Sequence, residues 1–304
     1  MYLAHDITLG RKVAIKVISA SRPGEDAGRR LLREAQAAAA LDHPNICTVH
    51  EIRSEAGRSF IVMQYCEGET LADRLHRGRL AAGETIDVVS QVANALAFAH
   101  NQGLVHRDVK PQNIMVGSSG RVTVLDFGLA KSITPRGRLS EDTPTETQLT
   151  AEGVPIGTAA YMSPEQIKCE PVDGRADLFA LGVVMYQCLT GRRPFEGRHT
   201  FEVFEAVLHH DPVPPATVQP GVPQALSDLC MHLLARAPHE RPQSAEEVCG
   251  YLAGVRYSSG TAPPTPVVPP APRASQTWVR SLQSRAVPTL AGALAVSAFL
   301  GVVG

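Results

Sequence analysis

The stretch "RADLFALGVVMYQCLTG" (175–191) limits the fold more than any other part of the chain. It is apolar on nearly every side, so as a helix it has no face to turn to water. It is short for a membrane span and carries Arg175 and Asp177, so it reads as a buried core helix. The chain has 304 residues, enough to bury one large core or two modest ones.

The period of the apolar residues changes along the chain. "RKVAIKVI" alternates and is rich in β-branched residues, which predicts a strand. "GRRLLREAQAAAALD" has helical spacing and stops before "HPN", where Pro44 ends it. "TVHEIRSEAGRSFIVMQY" predicts two strands joined at Gly57. Residues 1–65 therefore make a small sheet with one helix. Beyond "CEGETL" long helices dominate. "TIDVVSQVANALAFAHNQG" closes on Gly103, two short strands "IMVG" and "RVTVLD" follow, and helices are expected at 223–237 and 244–256. Residues 132–157 are polar and threonine-rich, a loop by composition. The fold class is α+β, a sheet-plus-helix part followed by a mainly helical one.

With 29 basic and 30 acidic residues the net charge is -1, which speaks against a nucleic-acid partner. Six cysteines, with no C-x-x-C pair, argue against a zinc site or a disulfide framework and fit a reducing compartment. No signal segment opens the chain. From Ser259, "SSGTAPPTPVVPPAPRAS" predicts an extended spacer. The charge-free stretch 287–304 is expected to be the truncated start of a transmembrane helix. Arg273, Arg280 and Arg285 before it would hold the preceding domain on the cytoplasmic side of a single-pass cell-membrane protein.

Three short stretches carry chemistry. "HRDVKPQN" (106–113) places Asp108, Lys110 and Asn113 in a polar segment between a helix and a strand. An aspartate there can accept a hydroxyl proton, the lysine can stabilise a transferring phosphoryl group, and the asparagine can bind a metal. "DFG" (126–128) puts Asp126 at a strand end before glycine, a suitable place for Mg²⁺. Lys16 stands on a strand and Glu34 on a helix, where an ion pair would hold the ammonium against phosphates. The order and spacing of Lys16, Glu34, Asp108, Asn113 and Asp126 match what phosphoryl transfer from a nucleotide requires.

On these motifs, residues 1–256 resemble a eukaryotic-like serine/threonine protein kinase of the bacterial, often membrane-anchored kind. The resemblance implies a two-lobed fold divided near residue 65, with 66–256 as the helical lobe, 257–286 as a proline-rich juxtamembrane linker, and ATP and Mg²⁺ as cofactors. It implies that Lys16 contacts the phosphates with Glu34 as its partner, that Asp108 is the catalytic aspartate, and that Asn113 and Asp126 hold Mg²⁺. Ala14 and Met115 would sandwich the base, Met63 would back its pocket, and Gln64, Tyr65 and Cys66 would form the hinge. Glu165 of "SPE" would pair with Arg241 of "HERP", and Asp177 would brace the catalytic loop. Lys110–Pro111 and Thr158 in "GTAAYMSPE" fit the serine/threonine pattern, so serine and threonine side chains of proteins are the implied substrates. Arg107 before the catalytic aspartate implies activation by autophosphorylation, in trans, at Thr150, Thr147, Thr145 or Thr143.

The chain departs from the family pattern at its start. The family has a first strand and a G-x-G-x-x-G turn before a pair like Tyr2–Leu3, whereas the one glycine before Lys16 is Gly10. The chain is therefore expected to lack the N-terminal edge of its domain. A kinase-like scaffold or binding module, impaired in transfer, is the alternative that this departure leaves open.

Overall fold

The alternating residues at the start of the chain form an antiparallel sheet. The computed structural model describes residues 1–18, 39–55, 58–127 and 156–258, all within one unit, Met1–Pro263. Strand β1 (Tyr2–Asp6) pairs with β2 (Arg11–Ile18) across a turn where Gly10 takes φ 63°. Asp6 Oδ1 closes that turn by accepting from the Thr8 and Leu9 N–H groups. Strands β3 (Val49–Glu55) and β4 (Arg58–Gln64) complete a four-stranded sheet of order β1-β2-β4-β3. Its inner face is a small core of Ala14, Cys47, Ile61 and Met63.

The second part is mainly helical. A short strand β5 (Glu69–Thr70) leads into α1 (Leu71–His76), capped by a reciprocal Thr70–Asp73 box. Helix α2 (Ala82–Asn101) buries Val88, Val92, Ala95, Leu96 and Ala99 on one stripe, and Gly103 at φ 74° turns the chain away from it. Strands β6 (Ile114–Val116) and β7 (Val122–Val124) join β5 in a second sheet of order β5-β6-β7. Then come α3 (Ile156–Ala159), α4 (Pro164–Ile167), α5 (Gly174–Thr190), α6 (Thr200–His209), α7 (Pro215–Val218), α8 (Gln224–Leu233) and α9 (Ala245–Ser258). Helix α5 is the apolar stretch of the sequence, and every residue from Ala176 to Tyr186 is buried. The architecture is a sheet region followed by a largely helical one, as the sequence led one to expect.

The segment after Pro44 joins the two sheets. Ile46 bridges Val124 in parallel, the Val124 N–H donates to the Asn45 carbonyl at 2.8 Å, and the Cys47 N–H donates to the Val124 carbonyl at 2.9 Å. Asn45 Nδ2 adds bonds to the Gln91 side chain and the Val122 carbonyl.

Three expectations need a structural comment. The single-pass placement at the cell membrane is corrected: among the described residues no helix is long and apolar enough to cross a membrane. The long apolar helix α5 is spent inside the protein core, and the stretch 287–304 lies outside the described residues. The polar loop expected over 132–157 gives way to helix at Ile156, and its earlier residues are outside the described ones. Most of the helix expected before "HPN", with Glu34, is also outside them, as are Thr143, Thr145, Thr147, Thr150 and the linker from Ser259 onward.

Candidate active site

The segment between α2 and β6 is held from below by α5. Asp177, on the first turn of α5, is buried, and its carboxylate accepts from the His106 N–H at 2.8 Å and the Arg107 N–H at 2.7 Å. The His100 Nε2 lies 2.8 Å from the same carboxylate. These bonds satisfy the charge that burial would otherwise penalise. They also fix the backbone at Arg107 in the left-handed region, φ 65°, a costly conformation for a non-glycine residue. The Arg107 carbonyl accepts from Gln166 Nε2 at 3.1 Å, and its side chain is exposed.

His106 is the joint between this loop and β7. Its Nδ1 accepts from the Asp108 N–H at 3.2 Å, so the ring proton sits on Nε2 and donates to the Leu125 carbonyl at 2.8 Å. The ring meets the edge of Phe127 at 4.6 Å between centroids. Sequence reasoning passed over His106, although it opens the quoted motif. It also passed over Gln166, which caps α4 together with Ser163 and reaches back to Arg107.

The polar side chains then converge. Asp108 Oδ2 lies 2.8 Å from Lys110 Nζ and accepts from Asn113 Nδ2 at 3.0 Å. Asn113 Nδ2 also donates to the Asp108 carbonyl at 2.8 Å, which turns the amide oxygen of Asn113 away from Asp108. Lys110 Nζ lies 3.4 Å from the Thr158 hydroxyl, tying the loop to the end of α3. The Leu125 N–H donates to the Asn113 carbonyl at 2.8 Å, so Asn113 and Asp126 sit on neighbouring strands of chain.

Asp126 takes φ 62° after β7. Its Oδ2 pairs with Lys16 Nζ at 2.8 Å, while its Oδ1 is buried and has no hydrogen-bond partner among the described residues. Lys16 and Ala14 share a face of β2, and Ala14 is paired with Met63 of β4. Met63 is buried, Gln64 is exposed, Tyr65 and Cys66 are half-buried, and Met115 is half-buried on β6 opposite Thr123. Lys12 Nζ stands over the Tyr65 ring, 5.6 Å from its centre.

Away from these groups, Glu165 and Arg241 form a buried two-pronged ion pair at 2.7 and 2.9 Å. Burial pushes the Glu165 carboxyl up, but the Arg241 hydrogen bonds and charge outweigh it and hold the group below the ordinary carboxylate value of 4.5. Among the described residues no group of three or more His, Cys, Asp or Glu is arranged to hold a metal by itself.

Comparison with known proteins gives this geometry a family. The protein kinase domain model matches residues 1–251. The serine/threonine-protein kinase PknB of Mycobacterium leprae is 39% identical over 274 residues, covering 88% of this chain and 42% of that protein. The PknB of Mycobacterium tuberculosis is 38% identical over the same span. A probable serine/threonine-protein kinase of Streptomyces coelicolor is 37% identical over 254 residues, 82% of this chain and 36% of that protein. The chain thus spans about two fifths of the length of the first of these curated relatives. It belongs to the protein kinase family, with a catalytic domain of the bacterial serine/threonine type.

Proposed function

We propose that the chain transfers the terminal phosphoryl group of ATP to serine and threonine hydroxyls of proteins. The observation that carries this reading is the buried Asp126 Oδ1, without a hydrogen-bond partner among the described residues, beside the Lys16–Asp126 ion pair. A carboxylate oxygen taken out of water without a partner is costly, and a bound cation removes the cost. The donor set, one carboxylate and one amide oxygen from Asp126 and Asn113, suits Mg²⁺, which binds through one or two protein oxygens and completes its shell with phosphates and water. When bound, Mg²⁺ would neutralise negative charge on the phosphates.

The chain's own groups take the other roles. Lys16 holds the phosphates; with Glu34 outside the described residues, its pairing with Asp126 is what supports its aim toward the site. Asp108 orients the acceptor hydroxyl and accepts its proton, with Asn113 fixing the carboxylate rotamer. Lys110, placed between Asp108 and Thr158, neutralises charge on the group in transit. Ala14, Met63 and Met115 give an apolar slot for the base, with the backbone of Gln64, Tyr65 and Cys66 along its edge. Residues 1–256 act as the kinase domain, divided near residue 65, with 257–286 as a proline-rich linker. Arg107 receives a phosphate placed in trans on Thr150 or on Thr143, Thr145 or Thr147, since phosphothreonine brings about -1.5 to -2 charge.

The test uses the full chain with labelled ATP and Mg²⁺, following transfer to itself and to a serine/threonine peptide, together with thermal unfolding. Asp108→Asn should lower transfer by about 10²–10⁴-fold while leaving the melting temperature and its rise with Mg²⁺ and ATP intact. Asp126→Asn should abolish the Mg²⁺ dependence of that rise. Undiminished transfer by Asp108→Asn, or a wild-type chain that neither transfers nor binds, would overturn the reading. Peptide mapping of active protein should find phosphate between Thr143 and Thr150.

A further inference from the structure

Two thiols stand together at the end of β4. Cys47 is buried and packs with Ala14, Ile61 and Met63, and the half-buried Cys66 packs against the same cluster. Both sulfurs converge on one oxygen, the Gln64 carbonyl, 3.5 Å from Cys47 Sγ and 3.9 Å from Cys66 Sγ. The Gln64 N–H bonds to the Thr48 carbonyl at 2.9 Å, which lays the chain leaving β4 alongside Cys47. Simple packing accounts for Cys47. It does not account for a second thiol at the same oxygen, reachable from solvent.

The two sulfurs are not equivalent. Its hydrogen bond to Cys66, and then its own burial, keep Cys47 a thiol, pushed well above the ordinary thiol range. Cys66 moves the other way: hydrogen bonds from Cys47 and from the Thr123 hydroxyl favour its thiolate against the cost of burial. The accessible sulfur is thus the better nucleophile, and the closed one holds the proton.

We propose that Cys66 and Cys47 form a peroxide-reactive dithiol, with Cys66 as the attacking sulfur and Cys47 as the resolving one. The Cys66 thiolate attacks one oxygen of a hydroperoxide; an S–O bond forms, the O–O bond breaks, and the leaving oxygen departs as hydroxide or alkoxide and takes up a proton. Sulfur loses two electrons and the peroxide gains them. Cys47 then attacks the Cys66 sulfenic sulfur; the S–S bond forms, the S–O bond breaks, and hydroxide leaves with the Cys47 proton as water. A small thiol reductant reverses the product by exchange. Such a bridge is a transient redox device, unlike the structural framework that the cysteine spacing argues against.

The remaining described cysteines provide internal controls. Cys188 and Cys230 are closed inside the helical core, Cys249 is half-buried, and Cys169 is exposed. The reduced full-length chain is treated with one equivalent of hydrogen peroxide, quenched in acid, digested and mapped by mass. A Cys47–Cys66 linked peptide, lighter by two hydrogens, should appear before any change at Cys169. Cys47→Ala should leave a sulfenic acid on Cys66, captured by a cyclic dione. Cys66→Ala should slow oxidation of Cys47 by about tenfold or more, because burial still keeps that thiol protonated and away from peroxide. Oxidation of Cys169 ahead of the pair, or modified Cys66 with no link to Cys47 in the wild-type chain, would overturn the proposal. The wild-type mapping requires no variant to fold, and it is read whether or not the chain transfers phosphate.

Discussion

Among the described residues Arg241 has the largest of the completely buried side chains, and each of its five N–H donors is spent. Two go to Glu165, and the other three to the carbonyls of Ala235, Arg175 and Arg236 at 2.8 to 2.9 Å. Its guanidinium also lies 5.0 Å from the centre of the Phe179 ring. Removing one partner strands the other, so Arg241→Ala should cost about 3–5 kcal/mol, read as a lower urea midpoint at unchanged slope. Arg241→Lys should recover little of it, since an ammonium has three donors and no fork. The pair also has a pH signature. The folded Glu165 carboxyl lies below its ordinary value of 4.5, so its stabilisation is complete above about that pH and fades as pH falls through the folded value. Glu165→Gln should flatten that part of the acid-unfolding curve. Asp108, Asn113 and Asp126 could be singled out in the sequence as candidates, because the chemistry proposed for them lies in their own side chains. His106, Gln166 and Asn45 were not, because their partners are backbone groups of Leu125, Arg107 and Val122, whose positions exist only once the chain has folded.

Among the elements, helix ends were the least legible, for identifiable reasons. Helix α2 begins at Ala82, ahead of the expected Thr85, because its cap at Ala81 makes no side-chain hydrogen bond and so leaves no sequence signal. Helix α8 stops at Leu233, short of the expected residue 237; Pro238 disfavours helix at the residue before it, and Arg241 takes up the Ala235 and Arg236 carbonyls beyond the helix end. The centre of α5 was legible in outline but not in contact. Gly182 meets α8 so closely that an added Cβ would lie 2.7 Å from Leu233 Cβ and 3.3 Å from the Leu233 carbonyl carbon. Neither atom can rotate aside. Gly182→Ala gains about 1 kcal/mol of helix propensity but forces the helices apart, at a cost of about 1–3 kcal/mol. Its melting temperature should fall. On α4, Ser163→Ala removes a capping box and should cost about 0.5–2 kcal/mol, while loosening the Gln166 tie to Arg107.

At the scale of the whole described molecule, apolar burial is uneven. The helical lobe has one continuous core running from α2 through α5 to α9, whereas the sheet of β1–β4 is backed by four buried side chains, Ala14, Cys47, Ile61 and Met63. Edge strand β1 leaves Tyr2 and Leu3 exposed. Native-state amide exchange should therefore find the slowest amides in α2 and α5, opening only with global unfolding, and much faster sub-global opening in β1 and β2. Equal protection in both lobes would contradict this. Asp177 gives that unevenness a further meaning. The carboxylate that holds the His106 and Arg107 amides grows from the first turn of the most deeply buried helix, so the loop bearing Asp108 is moored to the part of the molecule that melts last. A genetic screen for lost phosphorylation should then collect replacements of Phe179, Leu181 or Met185 alongside those of Asp108, and on heating the loop itself should stay ordered until the helical lobe melts, even after β1 and β2 have opened.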